Sequence, residues 1–308
     1  MGASAKLPRG YTQIGDDVAM VPTDKGKLVL KVDMLVETTD VPRSMTYRQA
    51  ARKAVGMCVS DFASKGVRPD SFMVSLGLRP GTSAAKVAEL SKGFRDAGDE
   101  WGVRLVGGDT NEAGQLVIDC VMVGFATKMV TRGGARPGDV LAVTGLFGLP
   151  PAGLLILNGN ASAAPGFRAR ALRSVLVPDP ALKVGMALAP HLSSSMDSSD
   201  GLARSLHTLA ECSGVGFRLD TLPADPGVYP FAKANSIDPE HLVLSGGEEY
   251  LIVGTFPPPR LDAATRAVAK AGGKLTIIGR ATGDAGRVLL RRKKGWTEVA
   301  DEGWTHLD

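Results

Sequence analysis

Lys27-Leu-Val-Leu-Lys-Val-Asp-Met-Leu35 alternates in the strand manner. Leu28, Leu30 and Val32 face one way, and Val29, Lys31 and Asp33 the other. Asp33 is therefore strand-borne and shares a face with Lys31. Just downstream, Thr46 opens a helix that runs to about Lys65, with Gly66 as its stop and Pro69 beyond. Ala50, Ala54, Met57 and Asp61 fall at i, i+4, i+7 and i+11 of that helix, which sets Asp61 on or beside the apolar stripe. An unpaired carboxylate there costs several kcal/mol or takes up a proton, so something cationic is expected to meet it.

Working outward, strand Phe72 to Leu78, a helix near Ser83 to Trp101, strand Val103 to Val106, a Gly107-Gly-Asp-Thr110 turn and strand Gln115 to Ala126 complete a first domain, residues 1–130. Thr131-Arg-Gly-Gly-Ala-Arg-Pro-Gly-Asp139 is a Gly-rich and Pro-rich boundary. The second domain, residues 131–308, opens with strand Val140 to Thr144. Helices follow near Ala152 to Leu157, Ala169 to Val175 and Pro180 to Leu188, then an acidic turn at Asp197 and helix Leu202 to Glu211. Strands near Gly216 to Leu219, Leu251 to Thr255, Leu275 to Ile278 and Val288 to Arg291 come next, with helix Pro259 to Ala271 among them. In the first domain strands and helices are mixed, without the regular βαβ rhythm of a doubly wound sheet.

Composition fits that picture. With 308 residues, 44% of them hydrophobic and 22% charged, the chain is long enough for two cores and too apolar for disorder. Leu116 to Ala126 and Ala152 to Leu157 are too short or too interrupted to span a bilayer. The first residues lack an apolar stretch of signal-peptide length, and Lys6 stands where a myristoylation signal needs Ser or Thr, so a cytoplasmic location is expected. Cys58, Cys120 and Cys212 are odd in number and widely spaced, so they are read as small buried side chains rather than a zinc site or disulfides. Arg291-Arg-Lys-Lys294 reads as a solvated hairpin end; without interleaved aromatics it does not point to nucleic acid.

Chemistry concentrates in the aspartates. Asp16 and Asp17 sit in Ile14-Gly-Asp-Asp-Val-Ala, Asp33 in its strand, Asp61 in Val59-Ser-Asp-Phe, Asp109 after Gly107-Gly108, and Asp197 and Asp200 in Met196-Asp-Ser-Ser-Asp-Gly-Leu202. Each also has a structural role open to it: an Asx turn for Asp16 and Asp17, pairing with Lys31 for Asp33, a turn position for Asp109, a helix N-cap for Asp200. Taken jointly, carboxylates dispersed over several turns suit magnesium and a polyphosphate, because Mg²⁺ prefers hard oxygens and keeps waters or substrate phosphates in its shell. Asp119, in an apolar strand with no flanking glycine or second acid, is left out. There is no GxxxxGK[ST] loop, no GxGxxG after a strand and no kinase catalytic-loop signature. His191, His207, His241 and His306 have no triad spacing, so nucleophilic catalysis finds little support. Gly107-Gly108 and Ser245-Gly-Gly247 supply backbone that can approach phosphates, or plain tight turns. Arg132 is either a phosphate clamp or an exposed linker residue, and Trp101 either core or an adenine platform.

Gly15-Asp-Asp17, Asp33, Val59-Ser-Asp61, Gly107-Gly-Asp-Thr110, Thr131-Arg-Gly-Gly-Ala135, Pro137-Gly-Asp139, Asp197-Ser-Ser-Asp-Gly-Leu202 and Ser245-Gly-Gly-Glu-Glu-Tyr250 together resemble the thiamine-monophosphate kinase family, in order and over almost the whole chain. The wider superfamily includes aminoimidazole ribonucleotide synthetase, selenophosphate synthetase and a hydrogenase maturation factor. The resemblance implies a two-domain α+β fold of the aminoimidazole ribonucleotide synthetase type. Its N-terminal mixed sheet would join a partner's in a barrel-like homodimer, and its C-terminal domain would be an α/β sandwich. It implies transfer of the ATP γ-phosphoryl group onto thiamine monophosphate, with Asp17, Asp33, Asp61, Asp109, Asp197 and Asp200 as Mg²⁺ ligands. Gly108, Ser199, Arg132 and Trp101 would contact ATP, and Glu248 and Trp304 the thiamine end. Thr39-Asp40 stands where many relatives carry a substrate-contacting histidine, so Asp40 joins the substrate set. Lys31 and Val32 replace hydroxyl residues common in relatives, which removes one possible metal contact. An imidazole-forming synthetase and a non-catalytic nucleotide-binding subunit are the alternatives.

Overall fold

In a computed structural model, residues 10–12, 15–24 and 26–305 are described. Residues 1–9, 13, 14, 25 and 306–308, among them Ile14 and His306, lie outside the described residues. The chain divides into two compact units, one made of Met1–Phe62 and Val67–Met129, the other of Ala63–Gly66 and Val130–Asp308.

The first unit contains β1 (Ala19–Thr23), β2 (Gly26–Val36), α1 (Glu37–Asp40), α2 (Tyr47–Lys65, its last turn counted with the second unit), β3 (Pro69–Leu78), α3 (Ala84–Trp101), β4 (Arg104–Glu112) and β5 (Val117–Ala126). The strands form one sheet in the order β1-β2-β5-β3-β4, antiparallel except for the β3–β4 pair. Thr46 starts α2 with a capping box: its N–H donates to Gln49 Oε1 at 2.9 Å, and the Gln49 N–H returns to Thr46 Oγ1 at 3.2 Å.

Both long helices lie on one face of the sheet. Cys58 Sγ of α2 donates to the Cys120 carbonyl of β5 at 3.4 Å, and Phe94 of α3 meets Phe72 of β3 with ring centroids 6.5 Å apart. Val29, Leu35, Phe62, Phe72, Ile118 and Met122 are wholly buried in this layer. The helices cross closely at Gly93, where a Cβ would strike the Arg48 carbonyl, and Arg52 pairs with Glu100 at 2.7 Å beside that crossing. On the opposite face of the sheet Val32, Met34, Met73 and Phe125 are exposed, Phe125 at 65%.

The second unit holds β6 (Val140–Val143), α4 (Leu149–Leu157), α5 (Pro165–Leu176), α6 (Leu182–Leu188), β7 (Ser194–Ser198), α7 (Leu202–Ser213), β8 (Gly216–Leu219), α8 (Val228–Ala234), α9 (Pro239–Leu244), β9 (Leu251–Phe256), α10 (Leu261–Lys270), β10 (Thr276–Thr282), β11 (Val288–Arg292) and β12 (Gly295–Glu298). Its seven strands run β12-β11-β8-β10-β6-β9-β7. A large cluster around Leu141, Phe147, Leu206, Phe217 and Ile278 fills one side, and a smaller one around Val184, Phe256 and Val268 the other.

Three expectations need correction. Gly107-Gly-Asp-Thr110 is not a turn: β4 runs straight through it, because parallel pairing with β3 (Val74 to Gly108, Ser75 to Asp109) holds the chain extended. Asp197 likewise lies in a strand, β7, whose sequence Ser-Ser-Met-Asp-Ser has no apolar alternation. Its buried hydroxyls are satisfied instead by bonds such as Ser194 Oγ to Thr255 Oγ1 at 2.8 Å. Cys212, in the last turn of α7, is exposed. The basic run is a hairpin end as expected, with Lys293 and Lys294 in the turn between β11 and β12. Among the described residues no helix is long and apolar enough to cross a membrane.

Gly93→Ala is expected to destabilise the protein by about 1–3 kcal/mol through overpacking at the helix crossing. Thermal unfolding should register this as a drop of several degrees.

Candidate active site

The strand-borne pair in β2 lies where its alternation places it. Lys31 and Asp33 share the helix-covered face with the buried Val29 and Leu35. Asp61, on α2, is buried at 5% exposure. Lys31 Nζ stands 2.9 Å from Asp61 Oδ2 and 3.8 Å from Asp33 Oδ2, so the cation expected at Asp61 is this lysine. Asp17 is buried too, and it and Asp61 offer carboxylate oxygens within 4.8 Å of each other. Carboxylates this close repel unless positive charge lies with them. Their hard oxygens suit a magnesium ion, and the donor chemistry therefore fits one. Asp16 serves locally: its Oδ1 accepts from the Asp17 N–H at 2.8 Å and shapes the turn.

Further along the same unit, Asp109 is exposed on β4, with its Oδ1 accepting from the Thr110 N–H at 2.9 Å. Gly108 precedes it for a steric reason, since a Cβ there would run into the Val74 carbonyl of the neighbouring strand. Trp101 is buried at 7% exposure, with the Arg52 guanidinium 4.7 Å from its ring centroid; of its two readings this geometry favours the core. The Asp40 carboxylate accepts from the Val36 N–H at 2.7 Å and from Thr39 Oγ1 at 2.9 Å, and its carbonyl accepts from Lys53 Nζ at 2.8 Å. Asp40 thus ties α1 to the end of β2. Asp119 points to the open face of the sheet; its Oδ1 is buried without a hydrogen-bond partner, and desolvation raises its pKa.

Within the second unit, β7 presents the buried Asp197 and leads directly into Ser199-Asp200-Gly201. Gly201 occupies the N-cap of α7 with no side-chain cap bond, so Asp200 is not the cap. The Ser245–Tyr250 loop folds back onto this segment. Glu248 N–H donates to the Ser199 carbonyl at 2.6 Å and Tyr250 N–H to the Ser198 carbonyl at 3.0 Å. Trp304 N–H reaches the Asp200 carbonyl at 3.0 Å, leaving its indole half exposed. The Ser199-Asp200 pair, Glu248 and Trp304, far apart in sequence, are thereby drawn together. Glu248 and Tyr250 hold positive φ values of 64° and 51°, a conformation costly for these residues and concentrated at functional sites.

Arg132 does not sit in a free linker. Ser195 N–H donates to the Thr131 carbonyl at 3.0 Å and Ser213 Oγ to the Arg132 carbonyl at 3.3 Å, fixing the segment beside β7 and the end of α7. Residues that sequence reasoning passed over support this region. Lys65 is fully buried and donates to the Ser195 carbonyl at 2.6 Å. Glu249, also buried, accepts from the Gly148 N–H at 2.5 Å, at the start of α4. Burial pushes the Glu249 carboxyl well above the ordinary glutamate range, opposed by that bond. Its place beside Glu248 in the Gly-Gly-Glu-Glu-Tyr run was the only signal available.

Comparison with known proteins bears on this arrangement. The AIR synthase related protein family matches the chain in two parts, its N-terminal domain over residues 15–126 and its C-terminal domain over residues 136–291. A thiamine-monophosphate kinase of Nitrosopumilus maritimus is 36% identical over 283 residues, covering 92% of this chain and 90% of that protein. The chain belongs to the thiamine-monophosphate kinase family. Another member, from Pyrococcus horikoshii, is 33% identical over 96% of this chain and 91% of its own. Among solved structures, AaThiL complexed with AMPPCP and TMP superposes with a TM-score of 0.85 at 28% identity, covering 96% of this chain and 92% of that one. The hydrogenase maturation protein HypE, at 19% identity and a TM-score of 0.75, shares the fold. The family's fold is the α+β, AIR synthase-like one expected, with a mixed sheet in each unit.

Because Glu249 holds its proton to higher pH when folded than when unfolded, the folded state is favoured below the ordinary glutamate pKa. That advantage is lost as pH rises toward the folded value. Glu249→Gln is expected to flatten the fall in stability across this window, a slope of at most about 1.4 kcal/mol per pH unit. Denaturant unfolding at a series of pH values measures it.

Proposed function

We propose that the chain transfers the γ-phosphoryl group of ATP onto the phosphate of thiamine monophosphate, giving thiamine diphosphate and ADP by direct in-line displacement. The observation that carries this reading is the pair of buried carboxylates, Asp17 and Asp61, with Asp33 on the neighbouring strand, in a chain 36% identical to a thiamine-monophosphate kinase. The bond between the γ-phosphorus and the β–γ bridging oxygen breaks as one forms to an acceptor phosphate oxygen. That oxygen is already anionic near neutral pH, so no general base is needed. His207 fits this: its Nε2 lies 2.8 Å from the Val299 carbonyl, a structural contact.

Donor and acceptor are both polyanions, so the protein's tasks are charge neutralisation and alignment. Asp17, Asp33, Asp61, Asp109, Asp197 and Asp200 are assigned as magnesium ligands. Magnesium, when bound, would supply neutralisation of the phosphate charge. Gly108, Ser199 and Arg132 are assigned to ATP, Arg132 as a phosphate clamp held at its backbone. Glu248 and Trp304 are assigned to the thiamine end, where an exposed indole suits a cationic thiazolium. Residues 1–130 form the metal and nucleotide domain and residues 131–308 the second domain in this reading.

The homodimer belongs to the same proposal. Val32, Met34, Met73 and Phe125 are exposed on the open face of the first unit's sheet, an apolar face that a second copy of the chain would cover. Phe125→Asp is expected to shift the protein toward monomer in light scattering coupled to size exclusion; an unchanged mass would refute the assignment of this face.

Product analysis with ATP and each of thiamine monophosphate, formylglycinamidine ribonucleotide and hydroxymethylpyrimidine phosphate tests the activity. Thiamine diphosphate is expected from the first alone. Asp33→Ala and Asp109→Ala should each lower turnover by about 10²-fold or more, the scale of losing one preorganised electrostatic contact. ATP binding without consumption of any acceptor would point to a nucleotide-binding subunit instead.

A further inference from the structure

We infer that the Lys31 ammonium is a built-in counter-cation of the acidic site. It occupies a place that would otherwise call for a further metal ion, and it keeps the first unit's aspartates assembled when magnesium is absent. This rests on the magnesium reading above.

Lys31 Nζ lies between carboxylates of two different elements, 2.9 Å from Asp61 on α2 and 3.8 Å from Asp33 on its own strand. All three side chains are largely withdrawn from water: Lys31 is 20% exposed, Asp61 7% and Asp33 28%. An ion pair this sheltered is screened little by salt, and the ammonium fixes helix to strand at that point. Asp17 brings a third carboxylate within 4.8 Å of Asp61. Removing the lysine would leave these carboxylates with one positive charge fewer, which favours the binding of a further cation among them.

An ammonium donates hydrogen bonds but accepts no lone pair, so Lys31 cannot polarise a phosphate as a metal does. It is a positioning residue, acting through Asp33 and Asp61. The chain thereby keeps part of its metal site permanently neutralised, with a charge that cannot diffuse away.

Two variants of the full chain test this. Lys31→Met keeps an apolar stem and removes the charge, whereas Lys31→Arg keeps the charge. Thermal unfolding in EDTA and across a magnesium titration is compared with ion stoichiometry from calorimetry. Without metal, Lys31→Met is expected to unfold about 5 °C or more below the unaltered protein, through loss of the sheltered pair's positive partner. Saturating magnesium should restore it, with one more ion bound per chain, and Lys31→Arg should follow the unaltered protein. Equal stability in EDTA with an equal ion count would overturn the inference while leaving the metal site intact. A Lys31→Met protein that magnesium cannot restore would also overturn it, since metal and ammonium would then not be interchangeable. If magnesium neither binds nor stabilises any of the three proteins, the metal reading itself fails and the inference with it.

Discussion

A carboxylate on the buried side of a helix must be met by positive charge or hydrogen-bond donors or else take up a proton, and Lys31 meets Asp61 at 2.9 Å. That contact ties α2 to β2, alongside the apolar packing of Val55, Val59 and Phe62 that seats the helix on the sheet. Other features of the first unit follow from seating α2 this closely: the glycine at the α2–α3 crossing, the Cys58 bond to β5, and the Arg52 guanidinium over Trp101. Polar groups are tolerated inside this layer because each is given a partner.

The second unit solves a related problem by different means. Its edge strand β7 is nearly all polar and fully buried, so hydrogen bonds replace apolar packing in holding it against β9. Lys65 adds a buried ammonium on the Ser195 carbonyl. A strand held in this way sets Asp197 and the Ser199–Asp200 backbone at fixed positions. The strained Glu248–Tyr250 segment and the C-terminal Trp304 are then tied to that same backbone by main-chain bonds. Polar networks of this kind fix geometry more strictly than apolar contact, which suits a site that must align two phosphates.

Much of this was legible in the chain. Alternation in β2 put Lys31 and Asp33 on one face, helical spacing put Asp61 on the buried stripe, and the demand for a cation there was met. The extents of α3, expected near Ser83 to Trp101, and of β8 also follow from pattern and punctuation. Two readings failed for definite reasons. Gly107-Gly108 looked like a turn because glycine pairs usually are, yet here Gly108 lets β4 lie against the Val74 carbonyl. β7 was invisible because its burial is compensated by hydroxyl and backbone partners supplied from elsewhere.

By itself, the sequence determined which residue types lie at which offsets, and so the local faces, the start of α2, the aspartate set and the family. Those properties depend on neighbours a few positions away, within reach of helix and strand periodicity. Only the tertiary structure decided which cation meets Asp61, that Trp101 is enclosed beneath Arg52, and that Glu249 rather than a local side chain serves the Gly148 N–H at the start of α4. Each of these joins residues tens of positions apart, and nothing in local spacing selects one partner over another. Close packing and the cost of leaving a buried polar group unmet make that choice.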